Sequence, residues 1–172
     1  MKRSFSSLSP REALHSAILI EQRNAQIYHR FAEMFAEFGD AESLEVSTAF
    51  WEMAVEERGH EAMLQQRYCE QYGEEGCSLT EEELLESIEA PKLETGDLFS
   101  IDYRGITGRE RALQVALHAE VSAQNFYAKL ADHTASGPLC QLYRELSRLE
   151  DGHVAFLAAK IEQEEPEQPS VQ

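Results

Sequence analysis

Two copies of one phrase, Val55-Glu-Glu-Arg-Gly-His-Glu-Ala-Met-Leu64 and Arg148-Leu-Glu-Asp-Gly-His-Val-Ala-Phe-Leu157, decide how the chain folds. Each contains Glu-x-Gly-His, and residues three apart share a helix face. Glu57/His60 and Glu150/His153 therefore each set a carboxylate beside an imidazole. Upstream of each copy lies a second matching pair. AILIEQRNAQIYHRFAE (17–33) and ALHAEVSAQNFYAKLAD (116–132) align Glu21 with Glu120, Tyr28 with Tyr127 and Ala32 with Ala131. A repeat of this kind predicts two similar helical hairpins facing each other about a pseudo-two-fold axis.

Local signals around the repeat set the helix limits. Ser9-Pro-Arg-Glu12 is a capping box with proline at the first helical position. An apolar stripe follows through Leu14, Ile18, Ile27, Phe31, Met34 and Phe38 until Gly39-Asp40 stops it. A second helix is expected from about Ala41, through Phe50, Met53 and Met63, to Gly73. One short helix should open at Thr80-Glu-Glu-Glu83, an acidic run that suits a helix N-terminus, and close before Pro91. Residues 91–106 read as a crossover, and Thr107-Gly-Arg-Glu110 as a second capping box opening a helix to about Thr134. Ser136-Gly-Pro138 makes a turn into a fourth helix ending near Glu164. The sequence thus predicts an all-α four-helix bundle over 9–164, its two hairpins joined by a long crossover containing one short helix. Residues 1–8 are expected to be flexible and 165–172 a disordered tail.

With 172 residues the chain has the length of one domain and enough material for a hydrophobic core. Fifteen Lys and Arg against 32 Asp and Glu give a net charge of −17, which argues against nucleic acid or an anionic membrane as partner. Such a surface attracts small cations. The longest aliphatic stretch, Ala17 to Ile20, is far below the roughly 20 residues that span a bilayer. Cys69, Cys77 and Cys140 have no CxxC spacing and read as reduced structural thiols, so a cytoplasmic protein is expected.

Helix heights decide whether the repeated residues can meet. Glu21 lies 18 residues before Gly39 and Glu57 lies 18 after it. Measured from Ser136, Glu120 lies 16 residues before, Glu150 14 after and His153 17 after. At 1.5 Å per residue both sets sit roughly 21–27 Å from their turns, near mid-bundle. Glu12/His15 is a control, since Glu12 points about 180° away from Glu21 around the helix. His118, about 200° from Glu120, should also face outward. His29 and His133 default to the surface. Four buried glutamates without cations would repel one another and lose hydration. Two divalent cations would neutralise them, and carboxylate with imidazole suits iron or manganese, with zinc as competitor.

In the order Glu21…Glu57-x-x-His60…Glu120…Glu150-x-x-His153 the chain resembles the ferritin-like superfamily of di-iron carboxylate proteins, specifically its rubrerythrin-like branch, over most of 9–164. The resemblance implies that Glu57 and Glu150 bridge two metals, that Glu21 and Glu120 are terminal carboxylates, and that His60 and His153 each cap one metal. Tyr28 and Tyr127 would hydrogen-bond ligand carboxylates from outside; ordinary core tyrosine is the alternative. The resemblance breaks at Ala123, where that branch carries a further glutamate tied to metal movement and a peroxidase cycle. The branch also carries a rubredoxin domain with two CxxC pairs, absent here, so electrons would come from a separate donor or from Fe(II) itself. The implied function is oxidation of Fe(II) with O2 or hydrogen peroxide, in the manner of a rubrerythrin-like oxidoreductase protecting against oxidative stress. The alternatives are iron binding, delivery or storage without turnover, and a purely structural bundle. A homodimer is expected, with Trp51, Phe31, Phe35, Phe50, Phe126 and Phe156 in the core or a dimer contact.

Overall fold

The computed structural model describes residues 8–73 and 106–164. Four long helices account for nearly all of them: α1 (Pro10–Phe38), α2 (Ala41–Tyr72), α3 (Ile106–His133) and α4 (Pro138–Glu164). The short helix expected after Thr80, the crossover, Cys77 and both chain ends lie outside the described residues.

Local chemistry fixes the ends of α1 and α2. Ser9 Oγ accepts from the Glu12 amide at 3.3 Å while Glu12 Oε2 accepts from the Ser9 amide at 2.7 Å, completing the capping box ahead of Pro10. Gly39 ends α1 at φ 73°, a left-handed conformation that costs glycine little. Asp40 then caps α2 by accepting from the Ser43 amide at 2.9 Å and its hydroxyl at 2.7 Å. These bonds hold the Asp40 carboxyl below its ordinary pKa. Helix α3 starts at Ile106, one residue before the threonine expected to cap it.

α1 packs against α2 and α3 against α4 as two antiparallel hairpins, which then pack on each other. The guanidinium of Arg109, near the start of α3, lies over the Phe38 ring and 3.7 Å from Asp40. The start of α3 therefore sits beside the α1–α2 turn, and α2 and α3 run in the same direction. The repeat extends to the contacts near each turn. Ser47 Oγ donates to the Ala32 carbonyl at 2.7 Å, and Cys140 Sγ donates to the Ala131 carbonyl at 3.3 Å, the equivalent position of the second hairpin.

The core is divided. One apolar cluster holds Leu14, Leu64, Tyr68, Tyr127, Leu130, Tyr143 and Leu146. The other holds Phe31, Phe35, Phe50, Leu113 and Leu157. Each large side chain so buried contributes roughly 1.5–3 kcal/mol, and the layer between the clusters is polar. Three apolar side chains lie toward the surface. Trp51 is 45% exposed, its ring against half-buried His29 at 4.5 Å between centroids, so it is not core. Met63 is exposed because the inward face of α2 runs through Met53, Glu57, His60 and Leu64, leaving Met63 to one side. Phe156 is half-buried, with the Lys160 ammonium 6.0 Å from its ring centre. Phe126, by contrast, is buried as expected.

Candidate metal centre

The polar layer is built from the six residues that the repeat singled out. Glu21, Glu57, Glu120 and Glu150 are fully buried, and His60 and His153 are nearly so. His60 Nδ1 lies 3.5 Å from Glu21, 3.2 Å from Glu57 and 4.0 Å from Glu150. His153 Nδ1 lies 3.2 Å from Glu57, 3.3 Å from Glu120 and 3.4 Å from Glu150. Two overlapping quartets result, Glu21–Glu57–His60–Glu150 and Glu57–Glu120–Glu150–His153, the ligand atoms of each within 4.8 Å of one another. Glu57 and Glu150 belong to both.

Burial makes this layer costly without a cation. Glu21 Oε2, Glu57 Oε1, Glu120 Oε1 and both oxygens of Glu150 are buried without a hydrogen-bond partner among the described residues. Native interiors seldom leave so many polar atoms unmet, which calls for a missing partner such as an ion. Glu21 and Glu150 respond by holding protons. Burial, and then repulsion from Glu57, raises the Glu21 pKa well above the ordinary carboxylate value. Burial, reinforced by Glu120, pushes Glu150 up to about 11. Burial opposes ionisation of Glu120 too, but the neighbouring Glu150 carboxyl and His153 outweigh it and hold Glu120 below the usual value. His153 is raised: its burial disfavours the cation, yet Glu120, Glu150 and Glu57 together stabilise it more.

Both tyrosines face the layer. Tyr127 donates to Glu21 Oε1, a bond between α3 and α1. Tyr28, on α1, turns its buried hydroxyl toward Glu120 on α3 in a looser contact. Burial, and then the neighbouring carboxylate, raises the pKa of both phenols. The residues assigned elsewhere stay away. Glu12 is engaged in the α1 cap, and His15 packs 5.8 Å from the Tyr68 ring. His118 is exposed beside Ser122, and exposed His133 donates to the Lys129 carbonyl at 2.7 Å.

Two residues escaped the sequence reading. Glu56 Oε2 lies 2.8 Å from His153 Nε2, reaching from α2 to the outer nitrogen of an imidazole on α4. The contrast between Glu56 and Leu149, its equivalent in the repeat, was the available signal. Asn24, three residues after Glu21 where the second hairpin has Ala123, is buried, its amide nitrogen without a hydrogen-bond partner among the described residues. Ala123 itself sits in an apolar cluster.

The donor set could hold a metal ion: it has four carboxylates for charge, two imidazoles in place, and orphaned oxygens in each quartet. No family of known proteins, no curated protein and no solved structure matches the chain. Among the described residues no helix is long and apolar enough to cross a membrane.

Proposed function

We propose that this protein is a di-iron carboxylate protein of the ferritin-like, rubrerythrin-like kind, oxidising Fe(II) with O2 or hydrogen peroxide. The observation that carries the reading is the set of buried carboxylate oxygens without partners inside two overlapping ligand groups. Glu57 and Glu150, common to both groups, would bridge. Glu21 with His60, and Glu120 with His153, would complete one position each. An iron pair held there would supply one electron per ion toward the oxidant.

The protein's own residues prepare that chemistry. Glu150 and His153 hold protons while the layer lacks cations and release them when cations take their place. Carboxylates can switch between one-oxygen and two-oxygen binding as charge changes, which suits four glutamates to a redox pair. Tyr127 fixes Glu21 through its hydroxyl, and the apolar clusters on either side exclude bulk water. Manganese or zinc would suit the same donors.

The test is anaerobic loading with Fe(II), metal counting, and then addition of O2 or peroxide. A ferric charge-transfer band in the near ultraviolet, with two irons per chain, is expected. A fully loaded protein that gives no ferric signal would sink the oxidation reading. Binding, delivery or storage of iron without turnover is the second reading, favoured by the apolar setting of Ala123, where no further carboxylate is offered. It predicts the same uptake without repeated consumption of peroxide.

A further inference from the structure

The layer is pseudo-symmetric in its six principal residues but not in what stands behind them. His153 presents Nδ1 to Glu57, Glu120 and Glu150 and sets Nε2 against Glu56 at 2.8 Å. The repeat puts Leu149 where the other hairpin has Glu56, and an exposed leucine offers an imidazole no acceptor. Among the described residues the carboxylate contacts of His60 all run through Nδ1. The terminal glutamates differ as well. Glu21 accepts a close hydrogen bond from Tyr127, whereas Tyr28 makes only a looser contact with Glu120 on the other side.

Both differences act in one direction. An imidazole whose outer N–H is held by a carboxylate keeps one tautomer and one ring orientation, and it is the more basic ligand. Glu56 also adds a negative charge beside that quartet. A phenol hydrogen-bonded to Glu21 draws electron density from a carboxylate of the other quartet. Resting on the metal-centre reading above, we propose that the two positions are inequivalent and that a divalent cation enters the Glu57–Glu120–Glu150–His153 quartet first. Glu56 is the positioning residue that sets this order. The first ion neutralises charge on the shared Glu57 and Glu150, so the Glu21–Glu57–His60–Glu150 quartet is the weaker, exchangeable position.

Anaerobic titration of the metal-free protein with Co(II), read by visible absorption and by calorimetry, tests the order. The unaltered protein should show two resolved steps of one ion each. Glu56→Ala should weaken the first step roughly 10–100-fold, the usual effect of removing such an outer partner, so that the steps merge. Glu56→Gln, which can still accept from Nε2–H, should restore part of the loss. Leu149→Glu should tighten the second step alone. Glu56 is exposed, so these variants should fold, and circular dichroism of the metal-free proteins checks that. Two equal sites in the unaltered protein, or two steps that Glu56→Ala leaves in place, overturn the inference while the metal centre stands. A protein that takes up no Co(II) overturns both.

Discussion

Tyr127 on α3 donates its phenolic hydrogen to Glu21 on α1, 106 residues earlier in the chain, and so ties the two hairpins together inside the polar layer. Its counterpart Tyr28 is equally buried but contacts Glu120 more loosely. Deleting one partner of a buried hydrogen bond costs about 1–3 kcal/mol, whereas removing a loosely held hydroxyl costs less. Tyr127→Phe should therefore destabilise the chelator-treated protein by about 1–3 kcal/mol, and Tyr28→Phe, whose hydroxyl is more loosely held, should cost less. Urea unfolding of the two variants side by side measures the difference. Equal effects would mean that the asymmetry is not maintained in solution.

Glu57 and Glu150 stand in both ligand quartets, Glu21 and Glu120 in one each. Loss of a shared carboxylate should disturb both positions. Glu57→Ala or Glu150→Ala should abolish uptake of the ion pair, while Glu21→Ala or Glu120→Ala should weaken one step by tenfold or more and leave the other. Calorimetric titration with Mn(II) distinguishes these outcomes. Retention of two ions by Glu57→Ala would remove it from the bridging role.

Much of this arrangement was legible because helices convert spacing into position. Equal distances of Glu21 and Glu57 from Gly39 put them at one height, and Glu-x-x-His put each imidazole beside its carboxylate. His118 was set aside by its angle and His133 because no glutamate lies three residues before it, and both are exposed. Glu56 was invisible to angular reasoning, since a residue next to a ligand points about 100° away. Only the close approach of α2 and α4 lets its long side chain reach His153. Of the two places expected for Trp51, its position on α2 rules out the core and turns it outward onto His29.

The α1–α2 turn depends on Gly39, whose φ of 73° lies in the left-handed region. Nothing lies within 4 Å of the point where an added Cβ would sit, so the cost of a side chain there is conformational alone. Gly39→Ala should destabilise the protein by about 1–2 kcal/mol. Calorimetric melting should show a fall of a few degrees in Tm with metal uptake intact. A loss of uptake would mean that the turn sets the heights of Glu21 and Glu57 more tightly than packing does.

Metal-free protein should lose stability as pH rises, the reverse of the usual acid sensitivity. Glu150, with an ordinary value of 4.5, titrates at about 11 in the folded chain, and Glu21 is raised in the same direction. Unfolded chains give up these protons near pH 4.5 while the folded protein keeps them. Their stabilising contribution is therefore complete below pH 4.5 and declines as pH climbs toward the folded values. His153, raised from 6.5, adds to the decline above neutrality. Glu120 has the opposite sign, but its pKa is lowered from 4.5, so its contribution is lost only in acid below that value. In the presence of chelator, the free energy of unfolding should fall from pH 6 to pH 9 by on the order of 1 kcal/mol per pH unit, and Tm should fall with it. Divalent cations substitute for those protons, so added Mn(II) should raise Tm more at pH 8 than at pH 6, and chelation should reverse the gain. A chelated protein whose stability is flat or rising over this range would show that the layer does not hold its protons.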